Sequence, residues 1–272
     1  FTQNFNMSVK SLELFISSTE AATGTIEFLE TGTTQSFTTV PNQILRIQAP
    51  VSSQLTTNMV VEKKGIHIKS DKDVSVYGLN NEPYTTDAFL AIPTVSLGTS
   101  YRVMSYTPLS SYYSTAAVVA TQDGSNITIT PTVAIGVLAA NTPINVPLNR
   151  GETYQIKSSD DLTGSTITAD KPIAVHSGAT CVQIPPGKDA CDMLTEQLIP
   201  TTSWGTSFYA APLEARSGGS RYRILADKDS TEVTINGVLS ATLAAGKYFE
   251  TNDVNALAIK TSKPAMVMQF AN

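Results

Sequence analysis

Cysteine, histidine and tryptophan are scarce in this 272-residue chain, which holds two Cys, two His and one Trp. Two histidines leave few options for acid–base chemistry. His67 and His176 each alternate with apolar neighbours, a pattern typical of structural histidines on strand faces. The chain has no Gly-x-Ser-x-Gly, P-loop, Gly-x-Gly-x-x-Gly or His-Glu-x-x-His motif. We therefore expect a protein that is not an enzyme. A glycosidase-type carboxylate pair drawn from distant strands is the enzymatic alternative.

Charge and long hydrophobic runs are lacking too. Charged residues make up 15% of the chain, the net charge is −5 and the pI is near 5.1. Without a basic run, nucleic acid and anionic membranes are not expected partners. No apolar stretch reaches the roughly 18 residues of a membrane span, so we expect no direct membrane insertion. The chain begins at Phe1 rather than Met, which fits a processed or trimmed chain and gives no reason to expect a cytosolic location.

The acidic residues form three pairs in predicted turns: Asp71/Asp73, Asp160/Asp161 and Asp227/Asp229. An Asp-x-Asp turn can coordinate calcium, but the glycine and glutamate spacing of an EF-hand loop is missing. Aspartate is also an ordinary turn residue, because its side chain accepts hydrogen bonds from nearby amides. We predict no cofactor and no metal, with calcium as the alternative.

Threonine and serine take the place of charge, and they suit the exposed face of β-strands. Apolar and polar side chains alternate in Gly24–Leu29, which predicts a β-strand with one face directed inward. Glu30–Gly32 predicts a turn after this strand. Helical patterns are few. The two short candidates are Tyr84–Leu90 and Cys191–Leu198.

Two phrases recur along the chain. One is a polar turn centred on Lys72, Lys171 and Lys263, each time between two alternating apolar runs, and Gly65–Gly78 around the first copy predicts a hairpin. In the other, Ile92–Tyr101 matches Ile199–Phe208. The sequence therefore predicts an all-β fold of tandem β-sandwich-like repeats of roughly 95 residues, with a propeller-like radial arrangement as the alternative. The predicted modules are 1–93, 94–200 and a shorter 201–272, with the Ile-Pro-Thr phrases at the crossings.

Both cysteines lie close together in the sequence. Cys181 and Cys191 bracket a loop that contains Pro185-Pro186-Gly187, and its ends could meet. A local disulfide is the favoured interpretation, and it would indicate an oxidising, extracellular compartment. Reduced thiols, or a metal site completed by His176 and Asp192, are the alternatives, although two thiols do not make a closed zinc shell.

Two loops are candidate contact surfaces for a partner. Tyr112 and Tyr113 lie in a loop rich in Ser and Thr, and loop tyrosines are common contact residues. Gln183, Lys188 and Asp189 lie in the cysteine-bounded insert, which the other predicted repeats lack. The alternatives are that the tyrosines cover a junction between modules and that the insert is a long loop tied down by its disulfide.

Several phrases together resemble the N-terminal domain of the IgG Fc-binding protein family, over about Lys63 to Phe270. They are Lys64–Lys72, Val74–Asn80, Tyr84–Pro93, Leu148–Tyr154, Glu196–Pro200 and Trp204–Thr206. The resemblance implies a secreted or cell-surface, non-enzymatic module, associated in animals with the Fc part of immunoglobulin G and with mucus. It carries no residue-level Fc-contact motif across to this chain.

We therefore expect an extracellular or cell-surface binding or adhesion module that recognises a protein, glycoprotein or glycan. The first alternative is a structural surface, stalk or assembly protein that self-assembles without a specific ligand. The second is a carbohydrate-active enzyme.

Overall fold

A computed structural model of the chain describes residues 1–4, 11–214 and 218–271. Among these residues, 21 β-strands are joined by turns and by three one-turn 3-10 helices at Val51–Ser53, Thr94–Ser96 and Thr201–Ser203. The all-β prediction is confirmed. The strands fall into three strand groups along the chain.

The first strand group forms a four-stranded sheet, β4-β1-β7-β8, and a three-stranded sheet, β3-β2-β6. Its strands are β1 Ser11–Ser17, β2 Thr23–Phe28, β3 Thr33–Thr38, β4 Ile44–Ala49, β5 Val61–Glu62, β6 Ile66–Ser70, β7 Ser75–Glu82 and β8 Thr85–Leu90. Alternate residues of β1 and β2 point into a shared core, where Leu12, Leu14 and Ile16 pack with Ile26 and Phe28. The short β5 belongs instead to the next sheet, where it pairs with β13.

The second strand group forms an eight-stranded sheet with β5. Its strands are β9 Gly98–Arg102, β10 Ser114–Ala120, β11 Ser125–Thr130, β12 Ile144–Leu148, β13 Thr153–Ser158, β14 Thr166–Val182 and β15 Asp192–Gln197. The third strand group forms a six-stranded sheet from β16 Gly205–Ala210, β17 Ser220–Ala226, β18 Thr231–Ile235, β19 Val238–Leu243, β20 Tyr248–Asp253 and β21 Leu257–Ala271. The core of the second group extends to Leu225, Met266 and Phe270 of the third.

The same pairing order occurs in all three strand groups. On one side, β2 lies between β3 and β6, β11 between β12 and the first half of β14, and β18 between β19 and the first half of β21. On the other side, β1 lies between β4 and β7, β10 between β13 and the second half of β14, and β17 between β20 and the second half of β21. The long strands β14 and β21 thus connect the two sides of their groups.

The repeated polar turn fixes where the inner strand begins in each group. The amide of Thr23 donates to Asp71 Oδ1 over 2.7 Å, that of Asn126 to Asp170 Oδ1 over 2.8 Å, and that of Glu232 to the Ser262 hydroxyl over 2.9 Å. The Thr23 amide, and after it the Thr23 hydroxyl, holds the pKa of Asp71 below its usual value by donating hydrogen bonds to its carboxylate. The recurring Asp or Ser is therefore explained by the architecture.

The lysine of the same turn reaches across to the loop after the neighbouring strand. Lys171 Nζ donates to the carbonyl of Asp123 over 2.5 Å, and Lys263 Nζ donates to that of Asp229 over 2.5 Å. Lys72 lies 3.7 Å from the Glu20 carboxylate at the equivalent place. The lysine is thus a structural residue of the turn.

Two sequence predictions are wrong. Gly65–Gly78 is not a hairpin, because β6 pairs with β2 and β7 pairs with β1 and β8 in a different sheet. The polar turn carries the chain from one sheet to the other. Neither helix candidate is helical: the segments Tyr84–Leu90 and Cys191–Leu198 contain the strands β8 and β15. In β15 the buried residues Met193, Thr195 and Gln197 recur with a period of two, as a strand requires.

The second and third strand groups meet around a buried arginine. The Arg223 side chain is 3% exposed, and it pairs with Asp161 at 2.7 Å and with Glu250 at 2.6 Å. Its guanidinium lies over the rings of Tyr106 and Tyr248, 3.9 and 4.2 Å from their centroids. Burial works to raise the pKa of Glu250, but arginine hydrogen bonds outweigh it and hold that pKa below its usual value.

A close backbone contact supports the same junction. A Cβ atom on Gly164 would lie 2.1 Å from the carbonyl oxygen of Gly246, and the φ of Gly164 is +90°. Only glycine permits this approach, because any larger residue would clash and would also be strained at that φ. At the same junction, Arg102 of the second strand group pairs with Asp227 of the third over 2.7 Å.

The first and second strand groups meet through backbone pairing, as between β5 and β13, and through an exposed ion cluster. The Gly65 amide donates to the Gly151 carbonyl over 2.9 Å. Arg150 hydrogen-bonds to Glu27 and His67, but the side chains of this ion cluster are more than one third exposed. Solvent screens such exposed pairs, so they stabilise the junction little.

Candidate interaction site

The disulfide prediction is confirmed. Cys181 is the penultimate residue of β14, Cys191 directly precedes β15, and the two are bonded with their Cα atoms 5.4 Å apart. β14 and β15 are antiparallel neighbours, so the bond closes the loop between them. The thiol and zinc interpretations of this pair are therefore wrong, because a disulfide sulfur is not a thiolate ligand.

The loop between the cysteines, residues 183–190 and hereafter the cysteine loop, is braced from within. The Gln183 side chain donates to the carbonyl of Lys188 and accepts from the amide of Gly187 over 3.3 Å. The Ile184–Pro185 peptide bond is cis. Lys188 and Asp189 are exposed, whereas Gln183 is partly buried. Gln183 thus shapes the loop, and the two charged residues are the ones available to a partner.

The tyrosine loop, residues 107–113, is hydrogen-bonded to the end of β14 from which the cysteine loop begins. The Leu109 amide donates to the carbonyl of Cys181 over 2.9 Å. Thr180 is joined to Tyr113 twice: its amide donates to the Tyr113 carbonyl over 2.7 Å, and its hydroxyl accepts from the Tyr113 amide over 2.9 Å. The two predicted contact loops therefore both adjoin the same end of β14. We call this combined surface the loop pair.

The aromatic side chains of the loop pair differ in exposure. Tyr113 is 41% exposed, and Lys157 Nζ lies 5.4 Å from its ring centroid, within range of a cation–π contact. Tyr112 is partly buried. Tyr106, which precedes the loop, is a core residue at the Arg223 junction, 3% exposed, and cannot serve as a surface contact.

Lys157 links the loop pair to the amino-terminal segment. Its ammonium donates to Gln3 Oε1 over 2.7 Å and to the Thr56 carbonyl over 3.0 Å. Burial lowers the pKa of Lys157, and the nearby Glu62 charge partly offsets that effect. The loop pair therefore combines the Tyr113 ring, the hydrogen-bonded ammonium of Lys157 and two exposed charged side chains, those of Lys188 and Asp189. This mixture suits contact with a polar protein surface.

A groove of about 580 Å³ lies between the first and second strand groups. Its apolar wall includes Ile66 and Ile68 of β6 together with Leu14, Val76 and Phe89. No sequence prediction pointed to it, because its walls come from distant segments of the chain.

His176 lines the far side of this groove but cannot act as a base there near neutral pH. Its ring meets that of Phe89 edge-on with the centroids 4.8 Å apart, and burial lowers its pKa to about 3, helped by the amino-terminal charge. A fully buried imidazole stays neutral because its charged form would lose hydration. The prediction of a structural histidine holds for His176.

Two carboxyl groups with raised pKa values lie at the contact between β8 and β15. Burial raises the pKa of Asp87 to about 6, and it raises that of Glu196 to about 7, with the Asp87 charge adding to the second effect. The Thr195 amide donates to Asp87 Oδ2 over 2.8 Å and so ties the two strands together. A second cavity, of about 250 Å³, is lined by both carboxyl groups. Raised carboxyl pKa values occur at catalytic sites and at buried structural contacts alike.

Among residues 1–4, 11–214 and 218–271, no group of three or more His, Cys, Asp or Glu side chains could hold a metal ion. Several aspartates of the predicted turns have other partners. Asp71 accepts from Thr23, Asp161 pairs with Arg223, and Asp229 accepts from the Ala245 amide over 2.9 Å. In the same part of the chain, no helix has the length and apolar character needed to cross a bilayer.

Comparison with known proteins gives one family and one relative. The family model described as IgGFc binding protein matches residues 87–272. The human protein named IgGFc-binding protein is 26% identical over 273 aligned residues, which cover 97% of this chain and 5% of that protein. The chain thus spans about a twentieth of the length of this relative. No solved structure gives a significant match. Because the family model covers more than half of the chain, this protein belongs to the IgGFc-binding protein family.

Proposed function

We propose that the chain is an extracellular, non-enzymatic module that binds a protein partner through the loop pair. The observation that carries the proposal is the hydrogen bonding of the tyrosine loop to Thr180 and Cys181, at the end of β14 from which the cysteine loop begins. Both loops are thus anchored on one strand end, and between them they present one exposed tyrosine and two exposed charges, Lys188 and Asp189. Preorganised loops lose less conformational entropy on binding than free ones do.

The name of the human relative suggests the first ligand to test, the Fc part of immunoglobulin G. Fc is a folded glycoprotein, so both its polypeptide and its glycan are candidate epitopes. The mixed aromatic and charged character of the loop pair favours the polypeptide, because aromatic residues at the centre of a contact supply most of the energy of protein binding. An adhesion role at a cell surface would follow if the partner were itself fixed to a surface.

An extracellular location is supported by the Cys181–Cys191 disulfide, since such bonds persist in oxidising compartments. We also propose that the three strand groups are tandem β-sandwich modules bounded near residues 93 and 200. Their shared pairing order and the shared contacts of the polar turn support this. Stacked modules would present the loop pair on a rigid support.

The test is a binding measurement on the purified chain with immobilised Fc, untreated and deglycosylated. If the proposal holds, Tyr113→Ala and the double variant K188A/D189A each weaken binding about tenfold or more, as loss of a main contact does. Tyr209→Ala is the matched control, because Tyr209 is 84% exposed on β16, outside the loop pair.

Three results would decide against this function. Equal affinities for the variants and the control would remove the loop pair as the contact surface. Loss of binding on deglycosylation alone would assign recognition to the glycan. Absence of binding to Fc or any other protein, together with self-association of the chain in light scattering, would favour a structural assembly role.

A further inference from the structure

The chain contains two Asn-x-Ser/Thr sequons, Asn6-Met7-Ser8 and Asn126-Ile127-Thr128. Such a sequon is the acceptor of an N-linked glycan in the secretory pathway, provided that its middle residue is not proline. The first sequon lies in residues 5–10, outside the described part of the chain. The second lies at the beginning of β11. The structure therefore shows the setting of the second sequon.

Asn126 and Thr128 lie on the solvent-facing side of β11. Alternate residues of a strand point to opposite faces, and Ile127 between them is 1% exposed, in the core of the second strand group. Asn126 is exposed and Thr128 is partly exposed. The two residues that define the acceptor are thus on the outer face, while the middle residue anchors the strand.

The surface around Asn126 is open. The neighbouring strand β12 is the edge of its sheet, and its exposed residues Pro147 and Asn145 are the register partners of Asn126 and Thr128. On the other side, the exposed Thr168 of β14 lies opposite Thr128. An N-linked glycan is bulky and needs a free surface. This flank of the sheet supplies one, because its side chains are short.

The fold does not depend on an unmodified asparagine at this position. Thr23 and Glu232 hold the equivalent places in the other two strand groups, so the outward side chain varies while the backbone contact to the polar turn is kept. Asn126 Nδ2 also donates to Asp170 Oδ2 over 2.7 Å. An amide nitrogen carries two hydrogens, so a sugar can replace one while the other remains available to Asp170.

The order of synthesis leaves the sequon unpaired while the chain is made. Both strands that pair with β11, β12 and β14, follow it in the sequence, and Asp170 comes 44 residues after Asn126. A chain grows at about 5–20 residues per second, so Asn126 stays outside its final sheet for about 2–9 seconds. A segment that is not yet hydrogen-bonded in a sheet is free to enter the active site of a modifying enzyme.

We propose that Asn126 is an N-glycosylation site. The sugar donor is an oligosaccharide linked to a lipid pyrophosphate. Asn126 Nδ2 forms a bond to the anomeric carbon of the first sugar, the bond from that carbon to the pyrophosphate oxygen breaks, the lipid pyrophosphate leaves and Nδ2 loses one proton. The proposal rests on the proposed extracellular location and not on the loop pair. Asn126 adjoins the first half of β14, whereas the loop pair adjoins the other end of that strand.

The experiment secretes the chain from cultured animal cells and maps its peptides by mass spectrometry before and after treatment with peptide:N-glycosidase F. This enzyme removes the glycan and leaves aspartate where the glycosylated asparagine stood. We expect most molecules to show this conversion at Asn126. Thr128→Ser should keep the glycan, because serine also completes a sequon. Thr128→Val should lose it, because valine keeps the β-branched shape of threonine but has no hydroxyl.

Asn6→Gln is the matched control at the other sequon and should leave the glycan at Asn126 in place. Masses are read on secreted and on cell-retained protein alike, so the test does not depend on the folding of a variant. An unmodified Asn126 in the secreted native chain would overturn the proposal, and so would a glycan at Asn126 that persists in Thr128→Val. Loss of Fc binding with the glycan present would count against the loop pair and leave this site standing.

Discussion

The two junctions of the chain use opposite means to hold neighbouring strand groups together. Between the second and third groups, Arg223 is buried among two carboxylates and two tyrosine rings, and backbones touch at Gly164 and Gly246. Between the first and second groups, Arg150 forms an exposed ion cluster beside an open groove. The second and third groups thus share a continuous hydrophobic core, whereas the first and second leave a groove of about 580 Å³ between them.

The largest expected effect comes from the buried arginine. Arg223→Met leaves Asp161 and Glu250 without their shared partner, and removing one partner of a buried ion pair typically costs about 3–5 kcal/mol. Arg150→Met is the matched control at the open junction, where an exposed pair contributes about 0–1 kcal/mol. Urea unfolding of both variants measures the difference. Equal losses would mean that the two junctions do not differ in this way.

A comparable test concerns Ile68, Ile167 and Ile259, which hold equivalent places four residues before the lysine of the polar turn. Ile167→Ala and Ile259→Ala each remove a fully buried side chain, and such truncations cost about 2–5 kcal/mol. Ile68→Ala should cost about half as much or less, because Ile68 already borders open space and leaves no closed cavity. Urea unfolding of the three variants provides the values. If Ile68→Ala lowered the free energy of unfolding as much as Ile167→Ala, the groove beside Ile68 would be closed in solution.

The disulfide bears on the contact between β8 and β15, because it closes the loop from which β15 emerges. Replacing Cys181 and Cys191 with serine should lower the free energy of unfolding by about 2–3 kcal/mol, the value expected for so short a loop. Hydrogen exchange should show the loosening in the cysteine loop and in β15 first. Unchanged unfolding under reducing and oxidising conditions would contradict this expectation.

The smallest effect is a pH dependence at the open junction. Folding raises the carboxyl pKa of Asp87 from 3.8 to about 6 and that of Glu196 from 4.5 to about 7. Between about pH 4 and 7 the unfolded chain therefore binds fewer protons than the folded one, so the free energy of unfolding falls as the pH rises. This contribution to stability is complete below pH 4 and lost above pH 7.

Glu196→Gln should remove its share, and so flatten the pH profile and raise stability near pH 8. This share is about 1–2 kcal/mol, because solvent reduces the cost of charging a partly exposed group. Glu30→Gln, at an exposed turn, is the matched control. Thermal unfolding measured from pH 4 to 8 provides the profile. A variant profile as steep as that of the native chain would assign the pH dependence to other groups.

Much of the fold could be predicted from the sequence because the relevant signals are local. Alternation predicted β2, the cysteine spacing predicted the disulfide, and the repeated polar turn marked equivalent places in the three groups. The hairpin at Gly65–Gly78 was wrong because two alternating runs around a turn look the same whether the chain folds back or crosses to another sheet. β15 was missed because two of its three inward residues, Thr195 and Gln197, are polar, which hid the period of two.

The candidate site was predictable only in parts. Tyr113 and Lys188 were identified separately, because exposure and loop composition are local properties. The placement of both loops at one end of β14 depends on β10 pairing with the second half of that strand, which sets Ser114 opposite Ala179. The groove beside β6 could not be foreseen, since its walls come from distant segments of the chain.

The 17-residue strand β14 has a mechanical consequence for the loop pair. It carries the cysteine loop at one end and is bonded along its length to β9, β10, β11 and β15. Antiparallel hydrogen bonds run perpendicular to the strand, so a pull on the loop loads many of them in shear at once. We expect a higher rupture force when the chain is stretched between residue 188 and its amino terminus than between Val238 and the same terminus, because β19 can peel from β18 one bond at a time. A partner that pulls on the loop pair would therefore load many hydrogen bonds of β14 at the same time.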